Sequence, residues 1–303
     1  MAERKLKALL DAAAGASAVG LLGAVKRFDR KRTANFAGAA MRRIGPLFKE
    51  HRLARQNLRI AYPGKSAAEI EQILGGVWDN LGRITVEFAH LDEFCVEGVG
   101  RQTADVITYA PEATERYRRM LDSGKPMLGF AAHLANWELP AVVAKVLVDR
   151  SAVLYRRPNI RSVSDLIVKL REPLMGELIP TGLEAPLKLA RLIQSGSHVG
   201  MLVDQHFTKG VEVTFFGRRC LANPLIALLA RQTEAPIHGL RVVRKPDGNS
   251  FSVDITDPVE PARDADGRIH IKGTMQAITA VVEGWVREHP EQWLWLHHRW
   301  RER

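Results

Sequence analysis

Short apolar runs alternate with helical patterns through the second half of the chain. The apolar runs predict strands at residues 127–132, 151–155, 199–203, 236–243 and 250–256. Helical periodicity predicts helices at residues 136–148, 161–174, 184–195, 222–232 and 274–289. Strands that alternate with helices are typical of βαβ units, in which the strands lie parallel. The sequence therefore predicts an α/β fold, with a largely parallel central sheet flanked by helices.

A helical part is predicted before the sheet. Ser66 and Glu69 have the spacing of a capping box, and apolar residues follow at helical period, which predicts an amphipathic helix over 66–90. A second helix is predicted over 112–122. No internal repeat, low-complexity tract or flexible linker interrupts the chain. We therefore expect residues 61–303 to form a single α/β domain, preceded by a distinct segment at 1–60.

This N-terminal segment is apolar and then strongly basic. Residues 8–25 are rich in Ala and Gly, and as a helix they would reach about 27 Å, which is marginal for a hydrocarbon core of about 30 Å. Residues 26–59 then hold eleven Lys and Arg residues against two acids. Such a block favours an anionic partner. We expect residues 1–60 to associate with a membrane, either as an anchor or as an amphipathic helix, with the charge held at the cytoplasmic face.

Several functional classes are unsupported by the sequence. Cys95 and Cys220 are far apart, which excludes a disulfide framework and a thiolate zinc site and fits a reducing compartment. The glycine-rich nucleotide signatures, the G-x-S-x-G elbow and H-E-x-x-H are all absent. No metal and no cofactor are therefore predicted. No nucleic-acid-binding module is recognisable, so the basic block is better explained by a membrane surface.

A histidine and a glutamate stand five positions apart in AAHLANWELP, residues 131–140. Within a regular helix they would point about 140° apart, but a turn between strand and helix lets them meet. We expect Asn136 to cap the helix, with Glu138 in its first turn and Pro140 tolerated there. Glu138 would orient His133 as a general base. In the alternative, Glu138 only complements the helix dipole and His133 bonds a backbone carbonyl.

Two further pairs of polar residues follow predicted strands. Arg156 and Arg157 can bind a phosphate-bearing ligand, or they can form an ion pair at the end of the strand. Asp204 and Gln205 can position an arginine or a sugar hydroxyl, and the structural alternative pairs Asp204 with one of these two arginines.

Motifs spread along the chain resemble the lipid A biosynthesis acyltransferases, which carry an H-x4-D/E signature. They are RQNLRIAYPGKSAAEIEQIL (55–74), HLANWE (133–138), YRRPN (155–159), MLVDQ (201–205), FFGRR (215–219), PLIALLARQTEAPI (224–237) and EQWLWLHHRWR (291–301). Each motif is weak alone, but seven in order are specific. The resemblance implies an acceptor hydroxyl that attacks a thioester, with His133 as its base and Glu138 orienting that base, and it implies no metal or redox cofactor.

The resemblance also implies the partners. The donor would be acyl carrier protein, and the acceptor a phosphorylated lipid A precursor at the cytoplasmic face of the inner membrane. Another glycolipid, a lysophospholipid acceptor or an acyl coenzyme A donor stays open, as does a non-catalytic lipid-binding protein. The chain departs from its relatives at His206, where a second acid is common, and at Cys220 and Ala222, where small hydroxyl residues are favoured.

Two arginines near the C-terminal motifs complete the candidate site. Arg218 precedes a loop in which Asn223 is expected to cap the next helix, and Arg218 is a candidate phosphate contact. Arg299 and the neighbouring tryptophans either line the acceptor site or pack at the edge of the core.

Overall fold

The computed structural model describes residues 16–17, 20–96, 106–158 and 160–300. Its helices are α1 Arg30–Ile44, α2 Lys49–Ala61, α3 Ala67–Ala89, α4 Ala113–Asp122, α5 Leu139–Leu147, α6 Arg161–Arg171, α7 Ala185–Gln194, α8 Leu225–Thr233 and α9 Ile271–Glu288. Its strands are β1 Cys95–Val96, β2 Val106–Tyr109, β3 Leu128–Ala131, β4 Ser151–Tyr155, β5 Glu177–Pro180, β6 His198–Leu202, β7 Val211–Phe215, β8 Arg218–Ala222, β9 Ile237–Arg244 and β10 Phe251–Ile255.

The central sheet has eight strands in the order β1-β2-β10-β9-β3-β6-β4-β5. Neighbouring strands are parallel except for the hairpin of β9 and β10. Buried apolar side chains from the two faces of the sheet belong to separate core clusters, each covered by helices. The predicted α/β class with a largely parallel sheet is confirmed.

The predicted elements and the observed ones agree closely from residue 127 onward. Each predicted strand and helix there is present within three residues of its expected ends. The capping box is also confirmed: the Ser66 hydroxyl accepts from the Glu69 amide, and the Glu69 carboxylate accepts from the Ser66 amide at the start of α3. The strands β1, β2 and β5 and the hairpin of β7 and β8 were not predicted.

The basic region forms two helices, α1 and α2, that pack on the long helix α3. Ala54, Leu58 and Ala61 of α2 belong to the same core cluster as the central strands. The Asn57 side chain also donates to the carbonyls of Trp295 and His297 at 2.8 Å each. Helix α2 therefore packs against the α/β unit, although it lies on the N-terminal side of the predicted boundary at residue 60.

Exposed apolar side chains accompany the basic charge of this region. Residues 20–25 are helical, and Leu21, Phe28 and Phe36 are between 62% and 76% exposed. The predicted anchor at 8–25 lies largely outside the described residues. In the part of the chain that the structure describes, no helix is both long and apolar enough to cross a bilayer.

Candidate active site

The carboxyl ends of β3 and β6 bring two predicted site residues together. These strands are parallel neighbours, and Ala131 pairs with Leu202 at their ends. His133 and Asp204 each follow two residues after that pair. Because side chains at equivalent positions beyond parallel strands lie at the same edge of the sheet, the register places this imidazole beside this carboxylate.

Asp204 holds His133 by two hydrogen bonds. The carboxylate accepts from the His133 backbone amide through Oδ2 and contacts Nδ1 through Oδ1, each at 2.8 Å. Trp293 Nε1 donates to Oδ2 at 2.7 Å. Because an ionised carboxylate only accepts, the ring proton of neutral His133 lies on Nδ1, and Nε2 keeps its lone pair. Gln205 Nε2 lies 3.2 Å from that nitrogen and can donate to it.

Asp204 remains ionised although its side chain is only 1% exposed. Burial alone would raise the pKa of this carboxyl. The positive charge of His133, when protonated, and the hydrogen bonds from its ring and backbone outweigh burial and lower the pKa of Asp204 well below its usual range. The pair is therefore arranged so that a proton taken up by the imidazole is stabilised by a fixed, dry negative charge.

Glu138 contacts an arginine in place of the histidine. Its carboxylate accepts from Arg171 Nε at 2.8 Å and from Arg171 Nη2 at 2.6 Å. The expected contact between Glu138 and His133 is thus replaced by two others. The His133 imidazole bonds to the Asp204 carboxylate, and the Glu138 carboxylate bonds to the Arg171 guanidinium. A forked ion pair of this kind fixes both side chains, and the Glu138 residue as a whole is 5% exposed.

Residues 132–138 carry His133 and Glu138 and are called the histidine turn below. The conformation of this turn differs from the helix cap that the sequence predicted. Helix α5 begins at Leu139 with Glu138 at the cap position, and no side chain caps it. Asn136 does not cap α5; its Oδ1 accepts from the Glu138 amide at 3.2 Å. Ala135 adopts a left-handed conformation with φ of 48°. The turn is therefore tighter than a simple strand-to-helix link.

A cavity of about 660 Å³ runs along the sheet from this turn. Its floor and walls are mainly apolar residues of β3, β4, β6 and α5, among them Gly129, Ala131, Val153, Gly200, Leu202, Pro140 and Ala144. The five-residue strands β4 and β6 span about 16 Å. His133, Glu138, Gln205, Arg156 and Arg171 line the end of the cavity where the parallel strands finish. The site thus joins a long apolar space to a charged, proton-accepting end.

The remaining predicted residues lie in different surroundings. Arg156 lines the cavity, whereas Arg157 is exposed outside its wall. Arg218 is exposed on β8. Arg299 is 1% exposed; its Nη1 donates to the Leu221 carbonyl at 2.9 Å, and its guanidinium lies over the Phe215 ring. The structure therefore gathers His133, Glu138, Arg156, Asp204 and Gln205, but not Arg157, Arg218 or Arg299.

Two participants were missed by the sequence interpretation. Arg171 is the last residue of α6, and nothing local to it in the sequence distinguishes it from the exposed basic residues of the chain. Trp293 was predicted only within a group of tryptophans at the core edge, where it and Trp295 are indeed buried. Among the described residues, no group of three or more His, Cys, Asp or Glu side chains is arranged to hold a metal ion.

The partly buried histidine His297 makes the stability of the protein depend on pH. Its Nδ1 donates to the Leu294 carbonyl at 2.6 Å, and burial lowers the pKa of His297 to about 4. Between about pH 6.5 and that value the unfolded chain binds a proton that the folded protein does not. We therefore expect the free energy of unfolding to fall as the pH drops through this window, by up to about 1.4 kcal/mol per pH unit, and to recover as the pH rises.

Urea denaturation at stepped pH measures this dependence. His297→Gln should flatten the decline, and the exposed His298→Gln controls for the loss of an imidazole. Equal slopes for the wild type and His297→Gln would contradict the assignment.

A comparison with known families identifies the family of the chain. A family model described as bacterial lipid A biosynthesis acyltransferase matches residues 4–302. No curated protein matches the chain. Because the match covers nearly the whole sequence, the chain belongs to the bacterial lipid A biosynthesis acyltransferase family, and it is an acyltransferase whose family transfers acyl groups to a lipid A precursor.

Proposed function

We propose that the protein transfers a fatty acyl chain from an acyl carrier protein thioester to a hydroxyl of a lipid A precursor, with His133 as general base. The proposal rests on His133 Nε2, which keeps its lone pair because Nδ1 donates to Asp204. This nitrogen belongs to a residue that lines the cavity, and its ring is oriented from behind by buried Asp204. An oriented imidazole beside a ligand-sized space is the arrangement that general base catalysis needs.

In the proposed step, His133 Nε2 takes the proton of the acceptor hydroxyl while the hydroxyl oxygen attacks the thioester carbon. Asp204 stabilises the imidazolium that forms, because its negative charge is fixed 2.8 Å from Nδ1. The tetrahedral oxyanion then collapses, the carbon–sulfur bond breaks and the thiolate leaves. The imidazolium returns its proton to the thiolate, so that an ester and a thiol are produced and the enzyme is restored.

The cavity is proposed to hold the acyl chain. Its apolar stretch lies along β3, β4 and β6, whereas its charged end lies at the histidine turn. A chain inserted with its methyl end leading would therefore present its thioester carbonyl to His133. Arg156 and Arg171 line the same end. Their positive charge suits either the phosphate of phosphopantetheine or the phosphates of the acceptor.

Glu138 is proposed to act with Arg171. The pair keeps a guanidinium at the cavity wall in a fixed orientation, 2.6 Å from the carboxylate at its nearest contact. In this assignment Glu138 supports the charged end of the cavity, and Asp204 takes over the orienting role that the sequence pattern suggested for Glu138.

The surface chemistry supports a site at an anionic membrane, at the cytoplasmic face of the inner membrane where acyl carrier protein is present. Exposed apolar residues in the region 20–49 include Leu21, Phe28, Phe36, Leu47 and Phe48. The exposed basic residues of the same region include Arg27, Arg32, Arg43 and Lys49. Proteins that bind at a membrane interface typically insert apolar side chains into the bilayer, while neighbouring cations contact the headgroups. The net charge of +10 also favours the acidic donor protein.

Acyl transfer from radiolabelled acyl carrier protein to a tetra-acylated lipid A precursor in detergent micelles tests the proposal. His133→Ala should lower the rate by about 10²- to 10⁴-fold, the scale of general acid–base catalysis. Glu138→Ala should also lower it, because the Arg171 charge loses its partner. His298→Ala, an exposed histidine outside the cavity, is the control.

Three outcomes would contradict the proposal. If His133→Ala kept the wild-type rate, His133 would not be the general base. If the wild-type enzyme accepted only acyl coenzyme A, the proposed donor would be wrong. If it acted only on another glycolipid or a lysophospholipid, the proposed acceptor would be wrong.

A further inference from the structure

A fully buried ion pair lies outside the cavity wall, next to the histidine turn. Glu87, near the end of α3, is 0% exposed, and Arg244, the last residue of β9, is 7% exposed. Arg244 Nη2 donates to Glu87 Oε2 at 3.0 Å, and Nη1 donates to Oε1. Burying two charges costs free energy that their attraction often fails to return, and apolar side chains of the same volume can stabilise a core as well. Stability alone is therefore a weak reason for this pair.

One arm of hydrogen bonds leads from the pair to Glu138. Asn136 Nδ2 donates to Glu87 Oε2 at 3.0 Å. The other end of the same amide, Asn136 Oδ1, accepts from the Glu138 backbone amide at 3.2 Å. Arg244, Glu87, Asn136 and Glu138 thus form one continuous chain of contacts. Its last member carries the carboxylate that binds Arg171 at the cavity.

A second arm fixes the peptide groups around Ala135. Arg244 Nε donates to Asn80 Oδ1 at 2.9 Å, and Asn80 Nδ2 donates to the Ala135 carbonyl at 3.2 Å. The Ala135 amide donates to the Gln292 carbonyl at 2.9 Å. Arg244 and Gln292 are joined in turn by two hydrogen bonds, at 2.9 and 3.1 Å. The amide and the carbonyl of Ala135 are therefore both hydrogen-bonded to the same network.

The histidine turn needs this support because Ala135 has φ of 48°. A residue with a Cβ is disfavoured in the left-handed region, and it persists there only where surrounding contacts over-determine the backbone. Ala135 lies between His133 and Glu138 and is itself 0% exposed. Relaxation of this one residue would rotate the two polar side chains relative to each other and to the cavity.

We infer that the Glu87–Arg244 ion pair is a positioning device for the histidine turn, acting on the reaction through Asn136 and Ala135. The inference rests on the proposed role of His133. Neither member of the pair lines the cavity, so both are positioning residues that set the geometry of groups which do. A displacement of such groups by about 1 Å is enough to lower a rate by about a hundredfold.

The test replaces both charges at once with apolar residues of similar size, as Glu87→Leu/Arg244→Met. Removing both avoids an unpaired buried charge, so the fold should be retained. We expect kcat to fall by about tenfold to a hundredfold with a smaller change in KM, because the network reaches both His133 and the Glu138–Arg171 pair at the charged end of the cavity. The matched control is Arg116→Met/Asp254→Leu, which removes a partly buried ion pair with a 3.2 Å contact between α4 and β10. Assays are run well below the unfolding midpoint of every variant.

A mutant cycle separates positioning from general weakening. Asn136→Ala cuts the first arm while the ion pair stays intact. If the pair acts through Asn136, the two losses in kcat overlap, and the triple variant is little worse than the more impaired parent. Additive losses would overturn the inference, as would a folded Glu87→Leu/Arg244→Met enzyme with wild-type kcat. Should that variant fail to fold, Asn136→Ala alone decides, and an unchanged kcat overturns the inference.

His133→Ala in the same assay keeps the two proposals apart. If His133→Ala retains activity, the proposed base is wrong. If His133→Ala is inactive while the network variants match the wild type, only the positioning inference fails.

Discussion

Asp204→Asn is expected to lower acyl transfer by about 10²- to 10⁴-fold while leaving the fold intact. The substitution preserves the shape of the side chain. Its carbonyl oxygen can take the place of Oδ2, which accepts from the His133 amide at 2.8 Å and from Trp293 Nε1 at 2.7 Å. The amide nitrogen then faces His133 Nδ1, where Oδ1 stood. Because that nitrogen donates, Nδ1 must accept, and the ring proton moves to Nε2.

Asp204→Asn therefore changes the tautomer of His133 and removes the negative charge beside it. With a proton on Nε2 the imidazole cannot accept one from the acceptor hydroxyl, and no buried negative charge remains to stabilise an imidazolium. Single-turnover transfer from preloaded acyl carrier protein measures the chemical step, and near-ultraviolet circular dichroism checks the packing around Trp293. Asp149→Asn, at an exposed position, is the control. A transfer rate for Asp204→Asn within a small factor of the wild type would exclude Asp204 from the mechanism.

Most of the fold was predictable from residue 127 onward because the predicted strands are short apolar runs and the predicted helices have helical periodicity. The hairpin of β7 and β8 was missed although Val211–Phe215 alternates in the pattern of a strand. Its connection depends on Phe216 and Gly217, which both adopt positive φ, at 52° and 70°. Such a two-residue turn suits the twist of paired strands. In the sequence, FFGRR at residues 215–219 was interpreted only as a family motif ahead of a loop.

The partner of His133 could not be predicted from spacing. Glu138 is close in sequence, so a local pairing was the natural expectation. The real partner, Asp204, lies 71 positions away and reaches the histidine only because β6 is the neighbour of β3. Strand order is a property of the whole sheet, and periodicity within one segment does not contain it. Asp204 was correctly expected at the end of a strand, but the strand beside it was unknown.

Charge alone was also a poor guide to exposure. Arg299 was expected at an acceptor site or at the core edge, and it lies 1% exposed over the Phe215 ring. Arg171 was not selected at all, yet it lines the cavity and its guanidinium binds the Glu138 carboxylate. An arginine can bury its planar group against an aromatic face or place it on a carboxylate. The choice depends on neighbours that only the folded chain brings together.

The second large effect is expected at Gly200, in the floor of the cavity. Gly200 is paired with Gly129 across β3 and β6, and both residues line the cavity. Because side chains alternate along a strand, its neighbours Val199 and Met201 face the other side of the sheet, where both belong to a buried core cluster. A Cβ added at Gly200 would have as its nearest neighbour the Ala152 carbonyl oxygen, at 4.0 Å. A larger side chain would thus fit the backbone and project into the space proposed for the acyl chain.

Gly200→Leu should therefore shorten the acyl chain that the enzyme accepts. Each methylene that no longer fits an apolar pocket costs about 1–3 kcal/mol, or about tenfold to two-hundredfold in kcat/KM. We expect transfer of the longest accepted chain to fall by about a hundredfold or more, while shorter donors keep most of their rate because His133 and Asp204 are untouched. Competition among saturated acyl carrier protein donors of increasing length measures the shift. Gly200→Ala and Gly200→Val should give intermediate limits.

Gly284→Leu is the matched control for this series. Gly284 lies on α9 outside the cavity wall, and an added Cβ there meets nothing within 4 Å. The same change of residue should leave the chain-length limit where it is. If Gly200→Leu lowers the rate for every donor equally, the cavity acts on the chemistry and not on the length of the chain. If its length profile matches that of Gly284→Leu, the acyl chain lies elsewhere, because a leucine side chain in the floor of an occupied cavity must displace its ligand.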